Sequence, residues 1–99
     1  MGYRQAKRQV LECLAEGRVG HELLRCEIDI KNLLVTGVVT ATQVADAIGR
    51  SDGTEYECRR HHIDELIDVH IIRTFHHDRS WYIKWYFVSP NVVFISVHE

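Results

Sequence analysis

The chain has 99 residues, 45% of them hydrophobic. It contains one proline and six glycines, and no stretch of the sequence has the composition of a linker or of a low-complexity tail. A chain of this length can bury one hydrophobic core, so we expect a single domain over residues 1–99. The net charge of −2 argues against a strongly basic nucleic-acid-binding protein, so RNA or DNA would have to bind at a local patch.

The first half of the chain, about residues 3–49, is predicted to be helical. Apolar residues at helical spacing, followed by Gly17, predict a first helix over 3–16. Dense apolar residues predict a second helix over 21–34, although the alternation in Cys26–Ile30 is also compatible with a strand. These helices would supply one layer of the fold.

A third, short helix is predicted from Gln43 to Ile48, with Thr40 or Thr42 as its N-cap. The surrounding segment, Val38–Arg50, also looks like a helix-turn-helix, and a hairpin wing can follow it. A winged-helix DNA-binding protein is therefore an alternative, although Arg50 is the one cation that its recognition region offers.

Strands are predicted after Gly53, with a sheet over about residues 54–98. Glu55–Arg60 and Ile67–Phe75 are the first two predicted strands. A hairpin loop at His76–Arg79 joins the second of them to the next strand. Helices followed by consecutive strands indicate an α+β fold, with N-terminal helices packed on a twisted antiparallel sheet.

The last two strands form a predicted hairpin about the turn Ser89–Asn91. The simplest register pairs Val88 with Val92, Tyr86 with Phe94, Lys84 with Ser96 and Tyr82 with His98. One face then places a phenol, an ammonium, a hydroxyl and an imidazole within cross-strand reach. The other face is predicted to be core and holds Trp81, Ile83, Trp85, Phe87, Val93, Ile95 and Val97.

The order of these elements, with a Tyr-centred strand, an Asp-Val strand, a Tyr-x-Lys strand and a closing Ser-Val-His-Glu, resembles the MqsR-type toxins of the RelE superfamily. These toxins are bacterial messenger-RNA interferases that pair with antitoxins. The resemblance covers most of residues 40–99. Its matching features are Val44–Ile48 leading to Tyr56, His62 before Asp68-Val69, Tyr82-Ile83-Lys84, and Ile95–Glu99.

This resemblance implies a RelE-like fold and a toxin-type endoribonuclease that needs no cofactor and is neutralised by a protein antitoxin. It also implies that Tyr56, Tyr82 and His98 lie in the ribonuclease site. Where the family carries lysine after the first tyrosine and near the end of the chain, this sequence has Glu57 and His98. Other RelE-superfamily toxins use a histidine at the latter place.

Metal-independent RNA cleavage needs a base for the 2′-OH proton, positive charge for the phosphate and an acid for the leaving 5′-oxygen. His98 is the predicted acid or base, with Tyr82 beside it and Lys84 as a nearby cation. The alternative for His98 is a solvated residue at a strand end without chemistry.

RNA binding is predicted at a basic patch that includes Arg59, Arg60 and His62, with Tyr56 or Tyr86 stacking on an unpaired base. The third class of function is a non-catalytic protein-interaction module. The dense aromatic run Trp81–Phe87 would then cover an interface.

The histidines and Cys58 match no zinc-binding spacing, so we expect no metal. Three cysteines without a CxxC pair fit a reducing compartment better than a disulfide framework. No apolar run approaches the ~20 residues of a membrane-spanning helix, and no signal peptide is evident. We therefore expect a soluble cytoplasmic protein with no membrane partner.

Overall fold

The computed structural model describes residues 2–21, 32–61 and 63–99. In this part of the chain two helices pack on one five-stranded sheet, which is the α+β class expected from the sequence. The elements are α1 (Tyr3–Glu16), β1 (Val19–His21), α2 (Ala41–Arg50), β2 (Tyr56–Arg60), β3 (Asp68–His76), β4 (Arg79–Val88) and β5 (Asn91–His98), with a 3-10 turn at Gly53–Glu55 before β2.

Helix α1 occupies the predicted residues 3–16 because its apolar side chains recur on one face. Ala6, Val10, Cys13 and Leu14 are buried there. Gly17 ends the helix with φ = 73°, a left-handed conformation that glycine adopts without a steric cost. The prediction for this helix is confirmed.

Helix α2 begins two residues earlier than predicted because Thr40 forms a capping box with Gln43. The Thr40 hydroxyl accepts the Gln43 N–H at 3.1 Å, and the Gln43 side-chain oxygen accepts the Thr40 N–H at 2.8 Å. At the other end, the Tyr3 hydroxyl donates to the Ser51 carbonyl at 2.6 Å, which ties the start of α1 to the end of α2. Neither described helix is long and apolar enough to cross a membrane.

The predicted helix over 21–34 falls mostly on residues 22–31, which lie outside the described residues, as does the alternative strand at Cys26–Ile30. At both described ends the prediction is wrong. His21 closes strand β1, and Asn32 forms a β-bridge with Val97. Strand β1 pairs with β5, and this non-local contact outweighs any helical tendency of the local sequence.

The sheet has the order β1-β5-β4-β3-β2. Strands β2 to β5 are antiparallel neighbours, and the boundaries of β2 and β3 agree with the prediction to one residue. The expectation of a wholly antiparallel sheet is wrong, because β1 runs parallel to β5 with Val19 opposite Val92. The observed sheet is therefore mixed.

The register of the β4–β5 hairpin agrees with the prediction at its far end, where Tyr82 faces His98 and Lys84 faces Ser96. Nearer the turn it is offset by one residue, and Trp85 faces Phe94. Ile95 is the extra residue, a β-bulge that changes which residues of β5 face the helices.

The hydrophobic core lies between the two helices and one face of the sheet. The predicted core residues Trp81, Ile83, Trp85 and Val97 are buried, and Phe87 packs against them while half-buried. Because of the bulge, the prediction that Val93 and Ile95 belong to the core is wrong. Val92 and Phe94 are buried instead, and Val93 and Ile95 are only half-buried.

Candidate active site on the distal face of the sheet

The sheet face opposite the two helices, called the distal face here, carries a row of polar and aromatic side chains. Ile72 on β3 and Ile83 and Trp85 on β4 belong to the hydrophobic core. Because side chains alternate along a strand, the residues next to them in sequence belong to the distal face. Its cross-strand pairs are Arg73 with Tyr82, Phe75 with Ser80, Lys84 with Ser96 and Tyr82 with His98.

Tyr82 and His98 stack directly on one another. Their ring centroids are 4.8 Å apart and their planes differ by 18°. The His98 Nδ1 atom lies 2.7 Å from the main-chain oxygen of Glu99, which can only accept a hydrogen bond. Nδ1 therefore carries a proton and donates it, so Nε2 is the nitrogen that is free to exchange a proton with a ligand.

Arg73 lies on the other side of the Tyr82 ring. Its guanidinium carbon is 5.1 Å from the ring centroid, and its Nη1 donates to Glu57 Oε1 at 2.8 Å. Glu57 also accepts a hydrogen bond from Arg59. The donors of Arg59 and Arg73 hold the pKa of the Glu57 carboxyl below its ordinary 4.5, so Glu57 is ionised and Arg73 is held in place.

A cleft of about 430 Å³ opens beside this row. Arg79 donates from Nε to Glu99 Oε1 at 2.8 Å at the end of the same strands. The cleft exposes a base, a cation and aromatic rings to one bound molecule. Its lining includes Arg73, Phe75, Ser80, Tyr82, His98 and Glu99.

Three of the four predicted catalytic residues, Tyr82, Lys84 and His98, lie on the distal face. Lys84 lies two residues after Tyr82 on β4 and opposite Ser96 on β5. Its side chain is half-buried. The structure thus brings a phenol, an ammonium and an imidazole together as the hairpin prediction expected.

Tyr56, the fourth predicted catalytic residue, lies on the helical face, so the sheet separates it from His98. Its hydroxyl is 2.7 Å from His70 Nδ1, and its ring is 5.4 Å from the Tyr3 ring. Burial raises the pKa of the Tyr56 phenol and lowers that of His70 to about 4. A neutral His70 therefore accepts a hydrogen bond from the Tyr56 hydroxyl, and this pair contributes to packing rather than to acid–base chemistry at neutral pH.

The predicted basic patch is divided between the two faces, because consecutive residues of a strand point to opposite sides. Arg59 lies on the distal face with Glu57, whereas Arg60 lies on the other face and donates to the Glu65 carbonyl at 3.1 Å. His62 lies outside the described residues. Tyr86 is on the distal face of β4, where its ring contacts His61 edge-on at 5.3 Å.

Arg73 and Phe75 were not predicted as site residues. The sequence contained one signal for them, namely the short segment between β3 and β4. His77 and Asp78 both have positive φ, 52° and 58°, as in a two-residue hairpin turn. A two-residue turn at these positions fixes the register and places Arg73 opposite Tyr82.

Among residues 2–21, 32–61 and 63–99, no three histidine, cysteine or acidic side chains are placed to hold a metal ion. Cys13 is buried and Cys58 exposed, and both are free thiols. Burial raises the pKa of the Cys13 thiol. Cys26 lies outside the described residues.

Comparison with protein-family models, with curated proteins and with solved structures finds no match for this chain.

Proposed function

We propose that this protein is a toxin-type endoribonuclease with a RelE-like fold that cleaves messenger RNA by metal-independent acid–base chemistry and is neutralised by a protein antitoxin. The observation that carries the proposal is the row formed by Arg73, Tyr82 and His98 in an open cleft. The imidazole of His98 and the guanidinium of Arg73 both contact the Tyr82 ring, at 4.8 Å and 5.1 Å from its centroid. Cleavage of an RNA phosphodiester requires a group that exchanges protons and a positive charge for the phosphate, and these two side chains can supply them.

In the proposed reaction, His98 Nε2 takes the proton of the substrate 2′-OH, and the 2′-oxygen attacks the adjacent phosphorus. The bond from phosphorus to the 5′-oxygen breaks, and that oxygen takes a proton from Lys84 or from water. Arg73 and Lys84 stabilise the negative charge that develops on the phosphate. The products are a 2′,3′-cyclic phosphate and a 5′-hydroxyl.

One structural feature supports this function over an interaction module built on the aromatic run. Trp81 and Trp85 are buried in the core and Phe87 packs against it, which leaves Tyr82 and Tyr86 of the five aromatic residues on the distal face. The winged-helix alternative has less support, because α2, which contains its recognition region, carries Arg50 as its one cation and buries Val44, Ala47 and Ile48 in the core.

The first test is induction of the untagged protein in a bacterial host, which supplies ribosomes if cleavage depends on them. We expect growth arrest with fragmented messenger RNA for the native chain and normal growth for His98→Ala. Soluble expression of both proteins is the control. Normal growth and intact transcripts with the native chain would contradict the proposal and favour an interaction module.

The second test follows cleavage of labelled single-stranded RNA, or of ribosome-bound messenger RNA, in the presence of EDTA. We expect His98→Ala to lower the rate by about 10²- to 10⁴-fold, the usual contribution of a general acid or base. Arg73→Ala should also slow cleavage. Arg8→Ala removes an exposed cation from α1, on the opposite side of the sheet, and should leave the rate unchanged.

Substrate chemistry gives an independent check. RNA with a 2′-O-methyl group at every position should resist cleavage, and mass spectrometry should find 2′,3′-cyclic phosphate ends on the products of ordinary RNA. An unchanged rate for a folded His98→Ala protein would remove His98 from the mechanism.

A further inference from the structure

Phe75 exposes 66% of its surface, although the other two phenylalanines of the chain pack in or against the core. A single exposed apolar residue is ordinary on a protein surface. Phe75 differs because of its place, since its ring belongs to the lining of the cleft that holds His98 and Tyr82. Its cross-strand partner is Ser80, whose side chain is too small to cover the ring.

We propose that Phe75 is the platform on which one unpaired base of the RNA substrate stacks, and that it thereby positions the scissile phosphate at His98. This inference rests on the proposed ribonuclease function and identifies the part of the site that holds a base. Neither tyrosine predicted for stacking takes this place, because Tyr56 lies on the helical face and Tyr86 contacts His61.

The spacing of the distal face supports this role. Arg73, Tyr82 and His98 lie side by side across β3, β4 and β5, and Phe75 and Ser80 form the next row on the same face. Rows on one face of a sheet are two residues, or roughly 7 Å, apart along the strand. A phosphate held by Arg73 therefore has a neighbouring base within reach of the Phe75 ring.

The surroundings of Phe75 favour a nucleobase over an apolar side chain of a protein. Arg73, His98 and Glu99 line the cleft together with Phe75, and Glu99 is ion-paired with Arg79. An apolar group bound there would remove water from these charges without pairing them. A base has an apolar face for the ring and a polar edge for the charged groups, and aromatic rings flanked by arginine are a common way to bind single strands.

The test uses Phe75→Leu, which keeps the apolar volume and removes the π-face, with Phe75→Trp as the restoring variant. The probe is a set of mixed-sequence 2′-O-methyl oligonucleotides, which resist 2′-OH chemistry. Each member of the set carries one 2-aminopurine, at a different position of the strand. We expect one position to show strong fluorescence quenching with the native protein. Phe75→Leu should lose that quenching and bind about 5- to 150-fold more weakly, and Phe75→Trp should retain both properties.

Leu66→Ala is the matched control, because Leu66 is 91% exposed and lies in the loop between β2 and β3 outside the cleft. It should bind as the native protein does. An oligonucleotide with an abasic unit at the quenched position should bind the native protein as weakly as the intact strand binds Phe75→Leu. Phe75→Leu should not be weakened further by the abasic unit.

The two proposals fail in different ways. If the native protein cleaves RNA and Phe75→Leu matches it in affinity and quenching, the stacking role is wrong and the ribonuclease function stands. If the native protein neither cleaves messenger RNA in the host nor binds the oligonucleotide, both proposals are wrong.

Discussion

At the scale of single residues, burial gives two histidines of the same chain opposite roles. His98 lies at the edge of an open cleft, with Nδ1 fixed by a main-chain oxygen. His70 is 1% exposed among the rings of Tyr56, Trp85 and Phe87. Desolvation disfavours the imidazolium form, so His70 stays neutral at neutral pH and its Nδ1 accepts a hydrogen bond from the Tyr56 hydroxyl.

The His70 environment predicts a specific dependence of stability on pH. Burial lowers its pKa from 6.5 to about 4, so the unfolded chain binds this proton more readily than the folded protein. The contribution of neutral His70 to the free energy of unfolding is therefore fully present above pH 6.5. It is lost as the pH falls from 6.5 to 4, and the free energy of unfolding decreases by roughly 3 kcal/mol in total. Urea unfolding at several pH values across this range should show the decline.

A variant separates this effect from acid titration of carboxylates. His70→Phe removes the titrating group, so its free energy of unfolding should change much less between pH 6.5 and 4.5 than that of the native protein. Hydrogen bonds hold the pKa values of Asp52 and Glu57 below their ordinary 3.8 and 4.5, so those groups lose stabilisation only at lower pH. Parallel pH curves for variant and native protein would show that His70 is not responsible.

At the scale of elements, one extra residue in strand β5 allows side chains that regular alternation would place on opposite faces to be buried on the same face. Val92, Phe94 and Val97 are all fully buried, yet Phe94 and Val97 are three positions apart along the strand. Regular alternation would put them on opposite faces. The bulge at Ile95 shifts the phase, so Phe94 and Val97 both face the helices while Ser96 and His98 remain on the distal face.

Helix α2 offers a test of local stabilisation. Thr40→Ala removes the hydroxyl that accepts the Gln43 N–H, and we expect it to lower the free energy of unfolding by about 1 kcal/mol. Thr42→Ala is the matched control, since Thr42 is equally exposed and lies inside the helix without the capping contact. Equal destabilisation of the two variants in urea would argue against the cap.

At the scale of the whole molecule, the charge balance limits how strongly the proposed RNA substrate can be held. The net charge is −2, and Glu57 partly neutralises Arg59 and Arg73 of the distal face. Binding should therefore depend on a few cations, namely Arg59, Arg73 and Lys84, rather than on a general positive field. Such a surface favours a short contact with single-stranded RNA.

This charge distribution predicts a shallow dependence of RNA affinity on salt. Three phosphate contacts to a single strand give a slope of log affinity against log salt of about −2, at about −0.7 for each contact. Fluorescence titration of the 2′-O-methyl oligonucleotide at several salt concentrations measures it. Arg73→Ala should make the slope shallower by about 0.7, and Arg8→Ala should leave it unchanged.

A slope steeper than about −4 would require twice as many cations as the distal face provides. The RNA would then have to contact another basic surface, such as the one formed by Arg4, Lys7 and Arg8 on α1. That result would contradict the placement of the RNA on the distal face.

Much of this architecture could be predicted from local patterns. The apolar spacing and Gly17 defined α1 to the residue, and alternation defined β2 and β3 closely. The pairing of Tyr82 with His98 followed from the β4–β5 hairpin, because the strands of a hairpin are close in sequence. For the same reason three of the four predicted catalytic residues were correctly placed on one face.

The remaining features depend on contacts between distant parts of the chain. No local pattern in Val19–His21 indicates that this short strand pairs parallel to β5, more than 70 positions later. The assignment of Tyr56 to the face of His70, and of Arg73 and Phe75 to that of His98, depends on register across three strands. Since a shift of one residue reverses every side chain of a strand, such assignments need the assembled sheet.

The sequence by itself therefore determined α1, α2, the strands β2 to β5 and the chemistry available to the chain, because these depend on neighbouring residues and on side-chain type. Tertiary structure decided which groups meet. It buried His70 with Tyr56 and left His98 in a cleft with Tyr82, Arg73 and Phe75. The physical reason is that burial and strand register, which set pKa and proximity, arise only when distant segments pack together.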